Sequence, residues 1–204
     1  MDNPKRIIKQ IKELEKRGMN IRLAAESWDS DFKILISTIL SARTRDEVTI
    51  KVAEKLFKKY GDVRDLAKSK LKDIRKIIMP VNFYKNKSKN IVNCAKILVK
   101  KYNGKIPHEI NELIKLPGVG RKTANVFLTQ VGRQGLAVDT HVAYCSRKLG
   151  WTKQRDPKKI EEELKKIIPK KYWNKVNPII VRFGKTYANR KQKDKILREI
   201  IKIR

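Results

Sequence analysis

The 204-residue sequence predicts an all-α protein. Apolar residues recur at spacings of three and four almost throughout, and no segment sustains an alternation of period two. Glycine or proline interrupts the pattern at helix-length intervals. Asp2-Asn3-Pro4 supplies a cap and a first-turn proline for a helix carrying Ile7, Ile8, Ile11 and Leu14, which Gly18 ends. Ser30 or Asp31 caps the next helix, whose apolar residues include Phe32, Leu35, Ile36, Ile39 and Leu40. After Arg43-Thr44-Arg45-Asp46, a helix through Val48, Val52, Leu56 and Phe57 runs to Tyr60-Gly61. Shorter amphipathic pieces follow at 62–68 and 70–78, then a longer helix from Lys85 to Tyr102 through Ile91, Ala95 and Leu98. Gly104 and Pro107 break the chain before a helix at 108–115, a glycine-rich hairpin and a helix at 121–132. Beyond Asp139 the pattern gives helices near 140–149, 157–168, 170–184 and 190–203. The stretch from Asn189 to Arg204 is basic, yet Ile196, Leu197, Ile200, Ile201 and Ile203 make it a packing helix rather than a disordered arm.

This length suffices for one large or two small domains with a real core. Lys and Arg number 51 against 21 Asp and Glu, a formal net charge of +30. That excess is more than solubility requires and points to a polyanionic partner, an evenly solvated basic surface being the competing account. No apolar run approaches the roughly 18 residues of a spanning helix, and no signal peptide opens the chain, so no membrane partner is expected. The two cysteines, Cys94 and Cys145, form no short-spaced pair and suggest neither a disulfide framework nor a zinc ribbon. Cys94 lies at helical spacing from Ile91, Ala95 and Leu98 and reads as a buried thiol in a protein of the reducing cytoplasm.

The chemistry gathers around Leu116-Pro117-Gly118-Val119-Gly120. Pro117 fixes one torsion, and the glycines permit positive φ or close backbone approach. Val119 points inward to pin the turn, and Ala124 is small enough to let two helices approach. The helix that begins at Arg121 offers first-turn N–H groups without intrahelical partners, where a DNA phosphate binds without any base being read. A plain helix–turn–helix corner also favours glycines, but the full pattern, Leu-x-x-Leu-Pro-Gly-Val-Gly-x-x-x-Ala, is more specific.

Lys122 lies in the first turn of that helix, where the dipole, Arg121 and partial burial would all disfavour its charged form. A lysine so treated is a nucleophile that forms a Schiff base with a carbonyl-like carbon; a phosphate contact is the plainer role. Asp139 follows 17 residues later in Val-Asp-Thr-His. Its side chain is placed to cap the next helix, and a rigid, ionised carboxylate also suits positive charge growing on a sugar ring. His141 reads as structural, and no His or Cys cluster accompanies it to suggest a metal site.

The run from Leu113 to Arg147, with Leu-Pro-Gly-Val-Gly-Arg-Lys-Thr-Ala-Asn-Val and Ala-Val-Asp-Thr-His-Val, resembles the endonuclease III family of helix-hairpin-helix DNA glycosylases. The likeness extends to Ser30-Asp31-Phe32, to Leu40-Ser41-Ala42-Arg43-Thr44-Arg45-Asp46, and to Phe83-Tyr84-Lys85-Asn86-Lys87 with Asn90-Ile91. It spans about residues 5–185. The resemblance implies a two-lobed helix-hairpin-helix glycosylase fold with a central DNA-binding cleft. Residues 24–134 would form a six-helix lobe containing the hairpin, and residues 1–23 with 135–204 a second, discontinuous lobe.

By the same resemblance Lys122 is the Schiff-base lysine and Asp139 the catalytic aspartate, on opposite walls of the cleft. Leu116, Pro117, Gly118, Val119, Gly120, Arg121 and Lys122 would hold the strand, and Lys87, Thr140 and His141 would meet the DNA. Arg43 and Phe83 fall where the family inserts side chains into the gap left by a flipped nucleotide, a core position being the competing reading of Phe83. Bacterial members often carry glutamine at the position of Arg43.

The implied activity is a bifunctional DNA glycosylase with apurinic/apyrimidinic lyase activity, acting on oxidised pyrimidines in duplex DNA as a cytoplasmic, nucleoid-associated monomer. Alternatives are the same fold acting on 8-oxoguanine or a mismatched base, and a non-enzymatic DNA-binding module. One departure is large. Family members commonly hold a [4Fe–4S] cluster on four C-terminal cysteines. Here Phe183-Gly184-Lys185-Thr186-Tyr187 leads instead to Ala188 and Asn189, and no cysteine follows Cys145 within the 204 residues. No cluster is expected, although the resemblance allows a monovalent cation at the hairpin when DNA is bound.

Overall fold

The computed structural model describes residues 4–203. They are helical with no strand among them, which is the class the periodicity predicts. The helices are α1 (Pro4–Arg17), α2 (Asp31–Ser41), α3 (Asp46–Lys59), α4 (Val63–Lys68), α5 (Leu71–Ile78) and α6 (Tyr84–Tyr102). They continue as α7 (Ile110–Leu113), α8 (Arg121–Gln130), α9 (Thr140–Lys148), α10 (Pro157–Ile167), α11 (Trp173–Thr186) and α12 (Arg190–Ile200). Asp2 and Asn3, expected to cap α1, lie outside the described residues.

Side-chain chemistry sets most helix starts. Ser30, rather than Asp31, caps α2 by accepting from the Lys33 N–H at 3.4 Å, while Asp31 pairs with His108 at 2.6 Å. Asp62, Asp139, Asp156 and Asn189 cap α4, α9, α10 and α12 through their own side-chain oxygens. Two expected helices are shorter or broken. Residues 108–115 yield only the single turn of α7, and residues 170–172 form a separate 3-10 turn before α11.

The chain divides into two compact units, residues 22–133 and residues 1–21 with 134–204. The continuous unit holds seven helices, α2 to α8, one more than the family likeness implies because α7 forms a four-residue turn of its own. Its core is built on Leu35, Leu40, Leu56, Leu66, Ile74, Ile78, Ile91, Leu98 and Phe127, all 2% exposed or less. Cys94 is fully buried there, as its spacing predicts.

In the split unit Ile7, Ile11 and Leu14 of α1 join Val176, Ile180 and Phe183 of α11 in one core. Gln10 is fully buried between elements far apart in sequence: it donates to the Ile200 carbonyl at 3.3 Å and accepts from Trp151 Nε1 at 2.7 Å. Leu197 and Ile200 bring α12 into the same core, so the basic C-terminal stretch packs as a helix. Each such aliphatic side chain stabilises the fold by about 2 kcal/mol when it leaves water.

Candidate active site

The hairpin is held from both flanks. Leu116 and Val119 are buried at 2% and 4%, and the Val119 N–H closes a turn on the Leu116 carbonyl at 3.0 Å. Pro117 occupies the second turn position and Gly118, with φ +81°, the third, the pattern of a type II turn. A Cβ on Gly118 would stand 3.0 Å from Asn90 Cβ and 3.1 Å from Ile39 Cγ2. Gly120 is different. It caps α8 in an extended conformation, φ −86° and ψ 173°, and a Cβ there would meet nothing within 4 Å. Gly118 is therefore demanded by the fold, whereas nothing in the protein itself requires a glycine at 120.

This division gives a paired expectation. Gly118→Ala combines a left-handed torsion with two close contacts and should destabilise the protein by about 2 kcal/mol, read as a lowered midpoint in urea. Gly120→Ala should leave the midpoint within about 0.5 kcal/mol and weaken duplex binding roughly tenfold in a fluorescence titration. Equal unfolding by both variants would refute the division.

Lys122 projects from the first turn of α8 and is exposed, so the partial burial anticipated from the sequence is absent from the free protein. Ala124, two residues on, is fully buried where α8 packs against α2. In the split unit Asp139 is half-buried and caps α9, its Oδ1 accepting from the Val142 N–H at 2.8 Å. Capping holds the carboxylate rigidly and leaves its second oxygen for other work.

His141, half-buried at the start of α9, is seated on Gly184 of α11. A Cβ on that glycine would fall 2.1 Å from His141 Nδ1. Thr140 and His141 line a cavity of about 320 Å³ with Tyr144, Arg190 and Lys193. The Tyr144 hydroxyl donates to Asp194, which also binds Lys148 at 2.9 Å. Arg190 and Lys193 stand 5.6 and 5.8 Å from the Tyr144 ring centre. Sequence reasoning missed these three cavity residues; the sign of them was two cations three apart on a capped, basic helix.

A second cluster joins the start of α6 to the end of α2. Phe83 is 58% exposed with φ +59°, so it is no core residue. Arg43, also exposed and at φ +55°, holds its guanidinium 5.6 Å from the Phe83 ring centre. Lys87 corrects the expectation that it meets DNA. It is only 6% exposed, and its ammonium donates to the carbonyls of Leu40 and Ala42 at 2.6 and 2.5 Å and to Thr44 Oγ1 at 3.2 Å. Burial pushes its pKa down to about 8, against which the three acceptors favour the charged form.

The residues do not fit a Cys₄ cluster. Cys94 belongs to the continuous unit and Cys145 to the split one. Both are fully buried, and burial pushes both thiols up to about 12. No group of three or more His, Cys, Asp or Glu side chains is placed to hold a metal among the described residues. Asn189, in the stretch where the resemblance puts the first ligand, accepts from the N–H groups of Lys191 and Gln192 at 2.9 and 3.2 Å as the cap of α12.

Residues 36–170 match the model of the HhH-GPD superfamily base excision DNA repair proteins. Endonuclease III of Thermotoga maritima is 49% identical over 156 residues, which cover 76% of this chain and 73% of that protein. Endonuclease III of Synechocystis sp. is 39% identical over 160 residues, covering 78% and 73%. A solved structure of a trapped endonuclease III–DNA covalent intermediate is similar with a TM-score of 0.84 at 34% identity, over 93% of this chain and 89% of the other. Fold and hairpin together thus define a helix-hairpin-helix protein of base excision DNA repair. Within that superfamily the chain belongs to the endonuclease III family.

Proposed function

We propose that this protein is a bifunctional DNA glycosylase and apurinic/apyrimidinic lyase that removes oxidised pyrimidines from duplex DNA. The observation that carries the reading is the hairpin, with an open, extended Gly120 at the head of α8 and Lys122 exposed on its first turn. The protein side has no steric need for a glycine at 120, so the vacant side suits a strand phosphate, held by first-turn N–H groups and the positive end of the helix. The net charge of +30 supplies the sequence-independent part of duplex affinity.

The chemistry then follows from two residue types. The damaged nucleotide leaves the stack at a cost of a few kcal/mol, least where pairing is already poor. The neutral amine of Lys122 forms a bond to the sugar C1′, and the C1′–base bond breaks with its electron pair leaving on the base. Loss of the amine proton and opening of the ring give an iminium, which acidifies the C2′ proton. Removal of that proton expels the 3′ phosphate by β-elimination, and water hydrolyses the iminium to release Lys122. Asp139 stabilises the positive charge that grows on the sugar as the base departs.

The protein is further proposed to act without an iron–sulfur cluster, as a monomer of the cytoplasm associated with the nucleoid. No helix among the described residues is long and apolar enough to cross a membrane. Purified protein should contain no stoichiometric iron and show no iron–sulfur absorption in the visible, and chelators should leave cleavage unchanged. A stoichiometric iron content in active protein would overturn the cluster-free reading.

The functional reading is tested by borohydride trapping on duplexes bearing an abasic site, thymine glycol or 8-oxoguanine. A covalent adduct on the abasic and thymine glycol duplexes is the expected result. An adduct with 8-oxoguanine in preference to thymine glycol would move the lesion assignment. Neither adduct nor strand cleavage on any duplex would remove the enzyme.

A further inference from the structure

We infer that Lys87 is a positioning residue, whose buried ammonium fixes the loop that presents Arg43 and the turn that presents Phe83; the inference rests on the glycosylase reading above. Lysine is almost never buried unless paired, because taking an ammonium from water costs several kcal/mol. At Lys87 that cost is offset by two carbonyls and a hydroxyl and by no carboxylate. The Leu40 and Ala42 carbonyls belong to the C-terminal end of α2, where carbonyls lack intrahelical partners and the helix dipole is negative. One ammonium on α6 thus closes α2 and anchors the loop that follows it, across 45 to 47 residues of sequence.

The loop so anchored is unusual in what it holds. Among the described residues four non-glycine residues have positive φ, and two of them are Arg43 and Phe83. Each left-handed residue with a side chain costs roughly 1–2 kcal/mol, a cost that persists only where the surroundings over-determine the conformation. The surroundings here are a short network. Asn82 donates its side-chain amide to the Arg43 carbonyl and its backbone N–H to Thr44 Oγ1 at 3.2 Å, and Thr44 Oγ1 also accepts from Lys87. Lys87, Thr44 and Asn82 therefore cross-link the residues on either side of Arg43 to the residue before Phe83. The product is a large aromatic ring left 58% exposed, with a guanidinium laid against it. A core lysine serving stability alone requires neither the paired torsions nor the exposed ring. An element that must keep two side chains poised to enter a gap in a base stack requires both.

The test separates positioning from folding by choice of substrate. Lys87→Met keeps most of the stem and removes the ammonium, leaving the α2 carbonyls without their donor. Single-turnover cleavage is measured on a duplex carrying an abasic site and on the same site in a single strand, where no stack has to be filled. The duplex rate should fall roughly tenfold and the single-strand rate by less than about twofold. A 2-aminopurine beside the site should lose the fluorescence change that accompanies wild-type binding. Combined with Phe83→Ala, the loss should be no larger than that of the more damaging single change, because both act on one step.

Where Lys87→Met lowers the amount of folded protein, Thr44→Val removes the shared acceptor and leaves the ammonium in place on the two carbonyls. It should shift the duplex to single-strand ratio in the same direction by a smaller factor. Equal losses on both substrates, or full additivity with Phe83→Ala, would overturn the positioning role. Failure of the wild type to cleave either substrate would bring down the glycosylase reading, and this inference with it.

Discussion

Lys122→Ala is expected to abolish the borohydride-trapped adduct and to lower strand cleavage by roughly 10³-fold or more, the scale of losing a covalent nucleophile. Such a loss corresponds to about 4 kcal/mol of transition-state stabilisation. The fold should be indifferent to the change. Lys122 is exposed on the first turn of α8, and alanine is the best helix former, so the stability change should stay within about 0.5 kcal/mol. A second substitution isolates the plainer role of the residue. Lys122→Arg keeps a cation at the head of the helix and so keeps a phosphate contact, but a guanidinium remains protonated and forms no Schiff base. Duplex affinity close to wild type, with no adduct, is the predicted result for Lys122→Arg. An adduct surviving in Lys122→Ala would assign the nucleophile to another amine.

Asp139 carries the second large expected effect, and its observed cap and its proposed charge-stabilising role can be pulled apart. Asparagine caps a helix about as well as aspartate, so Asp139→Asn should preserve the hydrogen bond from Val142 and leave unfolding unchanged. It removes the charge, and base excision should fall roughly 10²- to 10³-fold, as when one preorganised electrostatic group is lost. Asp139→Ala removes both, adding a cap loss of about 1 kcal/mol in thermal or urea unfolding. If Asp139→Asn kept full excision and only Asp139→Ala lost activity in step with stability, capping alone would account for the residue.

Much of this architecture is written locally. Helix class and most boundaries follow from spacing and from caps such as Asp62, Asp139 and Asp156, which act within three residues of themselves. The burial of Cys94 follows from the same periodicity, and the inward set of Val119 from its place between the two glycines of the hairpin. Lys87 shows where reading by residue type fails although the signal was present. It lies on the stripe of α6 that contains Ile91, Cys94, Ala95 and Leu98, and its position, not its charge, foretells its burial. Phe83 is the converse. A core position competes with the inserting one that the family likeness gives it, and a ring left 58% exposed at a left-handed torsion, which nothing in the residue type announces, excludes the core. The Tyr144, Arg190 and Lys193 cavity was beyond local reading because it needs α12 brought to α9, a contact made across more than 40 residues.

The buried amide of Gln10 has a consequence for synthesis on the ribosome. Its partners, Trp151 and Ile200, lie 141 and 190 residues downstream. The apolar face of α1 likewise waits for Val176, Ile180 and Phe183 of α11. Residues 22–133 complete their own core from consecutive segments as the chain emerges, whereas α1 leaves the tunnel before them and docks only once α11 has followed them. Until α11 emerges its isoleucines and leucine stay uncovered, and the seven lysines and arginines of residues 4–30 become the charge that keeps a nascent chain from associating with its neighbours.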